Sequence, residues 1–167
     1  LLPPGSEQAG ELVLRCHWLT EGYYRDETRS RELWHGGWLH TGDIAYLDRD
    51  GYVRITDRLK DVIKIGGEWI SSVEIENELM SHPKVKEAAV VGVPHPKWSE
   101  RPLACVVPKD GETVTKEEIL AFLAPKLAKW QLPDDVVFIP EVPKTSVGKF
   151  SKKTLRERFA DYVLPEN

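Results

Sequence analysis

The chain has 167 residues, 41% hydrophobic and 30% charged, with a net charge of -4 and a pI near 5.8, a profile that fits one or two ordinary globular domains. The acidic balance argues against a nucleic-acid binder driven by overall basicity, and no apolar run reaches the ~18 residues a membrane-spanning helix needs. The amino terminus, Leu1-Leu2-Pro3-Pro4-Gly5-Ser6, lacks the basic and apolar layout of a signal peptide, so a cytoplasmic location is the expectation. Cys16 and Cys105 form no C-x-x-C pair and are expected as two buried thiols rather than a disulfide or metal site. His17, His35, His40, His82 and His95 show no ligand spacing, and no protein-bound metal is expected. The single methionine is Met80, which suggests a piece of something longer.

Residues Leu1 to Ala9 read as a turn or loop, and Glu11 to Cys16 as a strand of branched and apolar residues. A turn is expected at Glu21-Gly22-Tyr23-Tyr24. The charges from Arg25 to Trp34 suit a short exposed helix capped by Asp26 and stopped by Gly36-Gly37. Two apolar runs, Ile44 to Leu47 and Tyr52 to Ile55, are joined by Asp48-Arg49-Asp50-Gly51, the chemistry of a β-hairpin turn. Just before it, Asp43 follows a glycine at the edge of the first strand. Its carboxylate suits either a turn or cap, or a bidentate acceptor for the vicinal hydroxyls of a sugar.

From Thr56 to Glu76 the chain passes from one unit into another. Asp57, Arg58, Lys60 and Asp61 form a charged link, which is not expected in a core because buried charges are rare unless paired. Val62, Ile63 and Ile65 make a brief strand. Gly66-Gly67 then removes two side chains, so the backbone can take positive φ or let another molecule approach. Ser71 and Glu74 have capping-box spacing and open a helix to about Ser81, with Val73, Ile75, Leu79 and Met80 on one face. A central strand is expected over Val85 to Val93, a loop over Pro94 to Pro102 and a second central strand over Leu103 to Val107. Thr115 and Glu118 cap a further helix, whose stripe is Ile119, Leu120, Phe122, Leu123 and Leu127, and Val136 to Ile139 is a third strand. The fold class is therefore α+β, a small sheet with helices packed on it.

The last segment, from Pro143 through Lys149 to Arg156, is a punctuated loop running into a basic helix. Its positive charge suits a solvated helix face or an anion site. A phosphate-binding loop of the Walker kind is excluded, because the spaced glycine that pattern needs before Gly148-Lys149 is missing.

Four stretches in fixed order resemble the AMP-forming acyl-CoA synthetases, the group that includes luciferases and the adenylation domains of peptide synthetases. They are Gly10-Glu11-Leu12 through Gly22-Tyr23; Trp38 through Thr41-Gly42-Asp43; Asp57-Arg58 through Gly66-Gly67 to Glu76; and Pro143-Lys144-Thr145 through Gly148-Lys149. The likeness runs from about Gly10 to Phe159. It implies adenylation of a carboxylic acid by ATP, then transfer of the acyl group to CoA. It also implies that residues 1–57 close the large N-terminal domain, that residues 58–60 are a hinge, and that residues 61–167 are a mobile C-terminal lid. The family's phosphate loop, acyl pocket and Mg2+ ligands belong upstream, so the chain alone is not expected to catalyse the overall reaction.

By the same resemblance Asp43 is similar to the aspartate that binds the ribose hydroxyls, and Arg58 to the arginine on the ribose and phosphate side. Lys60 takes the place of the hinge residue. Lys149 resembles the lysine that bridges the acyl carboxylate and the α-phosphate, where a fixed ammonium stabilises charge that develops in the transition state. Gly66 and Gly67 would line the pantetheine tunnel, with Trp69 beside them at a position that is basic in many members. Thr56-Asp57 also departs from the family, replacing a glycine often found before the arginine. Lys97 and Trp98 suit either an ordinary surface loop or a contact with the CoA nucleotide. Gly66 to Ser71, Lys129 to Pro133 and Lys144 to Phe150 look most like bacterial and archaeal medium- or long-chain fatty acid-CoA ligases. The expected partners are thus a fatty acid, ATP and CoA, with no nucleic acid, together with the protein's own N-terminal domain. The alternatives are an adenylation module that loads a carrier-protein phosphopantetheine and a non-catalytic α+β binding module.

Overall fold

The computed structural model describes residues 2–3, 5–6 and 8–165. Leu1, Pro4 and Glu7 of the expected amino-terminal loop, and Glu166 and Asn167 at the other end, lie outside the described residues. The chain divides into two compact units, Leu1–Lys60 and Asp61–Asn167.

The first unit carries a three-stranded antiparallel sheet in the order β1-β2-β3, formed by β1 (Gly10–Leu14), β2 (Leu39–Leu47) and β3 (Val53–Arg58). Helix α1 (Glu27–Leu33) precedes β2, and the Asp26 side chain caps it by accepting from the Arg29 N–H. The β2–β3 hairpin turns where Asp-Gly chemistry places it, and the Asp48 carboxylate accepts from the N–H groups of Asp50 and Tyr52. Strand β2 begins earlier than the apolar run indicates, so Asp43 lies inside the strand and not at its edge. Asp57 and Arg58 belong to β3, and Asp57 is only 4% exposed, against the expectation of a solvated charged link. Its carboxylate accepts the Arg58 N–H at 2.7 Å, which offsets part of the cost of removing it from water. Cys16 is exposed, contrary to the buried thiol expected there.

The second unit is built around one long hairpin, β6 (Val85–His95) and β7 (Ser99–Pro108). The expected nine-residue loop from Pro94 to Pro102 is mostly strand, since the ladder runs to the His95–Ser99 pair and leaves only residues 96–98 to turn. Prolines 94 and 102 favour a loop by residue type, yet both are accommodated in the paired strands. On its other edge β7 meets β4 (Ile63–Ile65) near its start and the parallel strand β8 (Asp135–Phe138) further along. Strand β5 (Glu68–Ile70) pairs with β4, so Gly66-Gly67 turns a hairpin instead of leading directly into a helix.

Alternation along β6 divides its side chains between two cores. Ala88 and Val90 face α2 (Ser72–Met80) and α3 (Lys116–Leu123), packing with Ile75, Leu79, Ile119 and Leu123, while Ala89, Val91 and Val93 share the opposite core with Leu103, Cys105, Val142 and Leu155 of α4 (Lys152–Arg158). A strand covered on both faces needs apolar residues at every position, which accounts for the unbroken run from Ala88 to Val91. Thr115 and Glu118 complete a capping box at α3. At α2 the Ser71 side chain accepts from the Glu74 N–H. The buried face of α2 is Ser72, Ile75 and Leu79; Met80 is 44% exposed and does not belong to it.

Candidate functional site

In the first unit the sequence brings Asp43 opposite Arg58 in the β2–β3 ladder. Arg58 Nε lies 3.4 Å from Asp43 Oδ1, with the arginine side chain 63% exposed and the aspartate 26%. The backbone that carries Asp43 is irregular. Between the pairs Glu11–Ile44 and Val13–His40, only Leu12 of β1 stands against Thr41, Gly42 and Asp43 of β2. Gly42 takes φ +71 there, a left-handed value that only glycine adopts at no steric cost.

Side chains replace the missing ladder bonds of this bulge. Glu11 Oε1 accepts the Gly42 N–H at 3.1 Å and Thr41 Oγ1 accepts the Asp43 N–H at 3.1 Å, while the Thr41 hydroxyl donates to the Leu12 carbonyl at 2.8 Å. The second Glu11 oxygen meets His40 Nδ1 at 2.8 Å, and this hydrogen bond raises the His40 pKa above its ordinary 6.5. The Gly42 carbonyl accepts the Leu59 N–H at 2.8 Å, so the same residue also holds the chain just before Lys60, which is exposed in the turn after β3.

In the second unit Gly66 and Gly67 form a two-residue turn between the paired Ile65 and Glu68. Both have positive φ, +53 and +99, as turns matched to the twist of a hairpin require. A Cβ on Gly66 would lie 3.2 Å from Trp98 Cε3, and the Gly66 N–H donates to the Trp98 carbonyl at 3.2 Å. The tips of two hairpins thus abut, bringing the glycine pair together with the half-exposed Trp98. Lys97 Nζ lies 4.7 Å from the centre of the Trp98 ring. Trp69 is on β5 opposite Lys64 and is 42% exposed.

Lys149 sits on a separate loop closed by the Lys144–Phe150 bridge. Its carbonyl accepts the Thr145 N–H at 2.7 Å and its N–H donates to Thr145 Oγ1 at 3.2 Å. The backbone is therefore fixed while the side chain is exposed, and among the described residues its ammonium takes no ion pair. Below it, Lys144 Nζ donates to Glu87 Oε1 at 2.7 Å, and that hydrogen bond holds the Glu87 pKa below the usual carboxylate range.

The basic helix α4 is not simply a solvated face. Lys152 pairs with Glu76 at 2.8 Å and donates to Ser72 Oγ at 2.7 Å, and Arg156 pairs with Asp61 at 2.6 Å. These cations clamp the helix behind Lys149 to α2 and to the start of the unit, and are occupied within the chain. The partners of Glu11, Glu76, Glu87 and Asp61 escape sequence reading because each works across strands or between elements far apart in sequence; only the strand register reveals Glu11 beside Gly42. No group of three or more His, Cys, Asp or Glu among the described residues is placed to hold a metal ion. None of their helices is long and apolar enough to cross a membrane.

Residues 74–149 match the AMP-binding enzyme C-terminal domain. The chain is 56% identical to a long-chain-fatty-acid–CoA ligase of Thermus thermophilus over 163 residues, covering 96% of this chain and 30% of that protein. It is 52% identical to a 3-methylmercaptopropionyl-CoA ligase of Ruegeria pomeroyi over 162 residues, covering 97% of this chain and 30% of the relative. The crystal structure of ATP-bound MatB from Rhodopseudomonas palustris superposes with a TM-score of 0.86 at 34% identity, covering 96% of this chain and 32% of that one. The chain thus spans about 30% of the length of these curated relatives.

Proposed function

We propose that the chain, whose residues 74–149 match the AMP-binding enzyme C-terminal domain, is the C-terminal part of a cytoplasmic, ATP-dependent fatty acid-CoA ligase. In the first half-reaction a carboxylate oxygen attacks the α-phosphorus of ATP, the bond to the β-phosphate oxygen breaks, and pyrophosphate leaves. In the second, the CoA sulfur attacks the acyl carbonyl with loss of the thiol proton, and the acyl–oxygen bond to AMP breaks. Among the described residues none are grouped to hold a metal ion; a Mg2+ ion carried in with ATP would neutralise charge on its phosphates.

Asp43 accepts hydrogen bonds from the ribose diol, and Arg58 beside it supplies positive charge toward the phosphates. Lys149 donates to the oxygens of the α-phosphate and acyl carboxylate, whose charge grows as the phosphorus is attacked. Gly66 and Gly67 admit the thin pantetheine arm of CoA, with Trp69 and Trp98 beside it. Residues 58–60 act as a hinge, Lys60 absorbing the torsional change between the half-reactions. Residues 1–57 complete a large adenylation domain, and residues 61–167 form its lid. The observation that carries this reading is the exposed Lys149 ammonium, without an ion-pair partner among the described residues, on a loop whose backbone is hydrogen-bonded in place.

The test is incubation of the full-length protein with ATP, CoA and a series of fatty acids. The expected products are acyl-CoA, AMP and pyrophosphate, with acyl-CoA formed only when all three substrates are present and pyrophosphate released only when both ATP and the acid are present. Release of ADP and phosphate, or an unchanged mixture across the acid series, would overturn the reading.

A further inference from the structure

We propose that Glu11 is a positioning residue for nucleotide binding, holding the bulged segment Thr41-Gly42-Asp43 so that the Asp43 carboxylate stays presented to the ribose diol. This inference rests on the nucleotide role given to Asp43 above. Residues 41–43 face a single residue of β1, so the Gly42 and Asp43 N–H groups cannot both take ladder partners. A backbone donor without a partner is costly away from water. Thr41 satisfies the Asp43 N–H from within the bulge; the Gly42 N–H depends on Glu11, which reaches it from the neighbouring strand.

One carboxylate thereby fixes both flanks of the irregular segment. Its Oε1 takes Gly42 at 3.1 Å and its Oε2 takes His40 at 2.8 Å, each oxygen with a separate task. Glu11 is itself sheltered, its side chain 21% exposed, so water is a poor substitute for it. The constraint propagates through Gly42: its carbonyl receives the Leu59 N–H, next to Arg58, the residue that faces Asp43. Without the Glu11 carboxylate, the left-handed Gly42 loses its N–H partner, and the orientation of the next residue, Asp43, is no longer set.

The experiment compares AMP binding by the full-length protein with binding by its Glu11→Ala, Glu11→Gln and Asp43→Asn variants, alongside hydrogen exchange read by mass spectrometry on the peptide covering residues 39–47. Glu11→Ala is expected to raise the Kd for AMP roughly tenfold, the scale of one charge-assisted hydrogen bond, and to speed exchange in that peptide. Glu11→Gln keeps the reach and an acceptor oxygen, so it restores affinity to within about threefold of wild type on the same reasoning. Should Asp43→Asn leave AMP affinity unchanged, the nucleotide reading falls and this inference falls with it. If Asp43→Asn weakens binding while Glu11→Ala lowers only the melting temperature and leaves the Kd at 25 °C unchanged, Glu11 is merely structural and this inference alone is overturned. If Glu11→Ala does not fold, Glu11→Gln decides: it must bind AMP nearly as well as wild type, and a tenfold loss contradicts the assignment.

Discussion

Arg58 stands directly across the β2–β3 ladder from Asp43, with Nε 3.4 Å from Oδ1. At that separation the two groups attract without closing a short hydrogen bond, so the carboxylate keeps lone pairs for an incoming diol. Asp43→Asn removes the charge and half of the acceptor capacity while preserving shape. It should weaken AMP binding by roughly 10- to 100-fold, the range for hydrogen bonds to a charged group. Isothermal titration of AMP into the full-length variant checks this, and an unchanged affinity contradicts the role.

Lys60 lies exposed in the turn that ends the first unit, immediately before the second unit begins at Asp61. Proline there fixes its φ and restricts Leu59 before it. Lys60→Pro should reduce thioester formation from added acyl-adenylate and CoA more than it reduces pyrophosphate release. Equal losses in the two assays count against a hinge at this position.

The two thiols should differ sharply in reactivity. Cys16 is exposed, whereas Cys105 is fully buried between the sheet and α4, and burial pushes its pKa up to about 12. Because the thiolate is the reactive species, native-state alkylation at pH 8 should label the peptide with Cys16 and leave that with Cys105 unmodified until denaturant is added. Fast labelling of Cys105 in the folded protein would show that this core is open.

His40 and His82 should titrate on opposite sides of the ordinary imidazole value of 6.5. The Glu11 hydrogen bond favours the charged form of His40 and raises its pKa. That contribution to stability is complete below pH 6.5 and is lost as the pH rises through the raised value. Burial of His82 against Phe122, with ring centres 4.7 Å apart, disfavours its charged form and lowers its pKa. Its contribution is complete above pH 6.5 and is lost as the pH falls through the lowered value. An NMR titration that resolves both rings should give His40 the higher midpoint; the reverse order contradicts both environments.

Elements set by local chemistry were legible in the sequence. The Asp48 to Gly51 turn, the caps at Asp26, Ser71 and Thr115, and the two-sided apolar run at Ala88 to Val91 all stand where residue type and spacing put them. Features set by strand pairing were not. Prolines 94 and 102 suggested a loop, but the long β6–β7 ladder absorbs them; a glycine pair suggested an open ligand loop, but Glu68 to Ile70 pair back onto β4. The burial of Asp57 and the ion pairs of Lys152 and Arg156 depend on partners that sequence distance conceals. Asp43 and the Gly66-Gly67 pair stand out by residue type and setting, and Arg58, Trp69 and Lys149 by family resemblance, whereas the place of Glu11 beneath the bulge is visible only through the β1–β2 register.

The central claim is that Lys149 serves the adenylation step. In the full-length protein, Lys149→Ala should lower the rate of acid-dependent pyrophosphate release by about 100-fold or more, the scale for losing one preorganised electrostatic contact in a transition state. Transfer of the acyl group from added acyl-adenylate to CoA should stay within about threefold of wild type, because an interaction made only in the first transition state leaves the second step untouched. Pyrophosphate release near the wild-type rate would contradict the account.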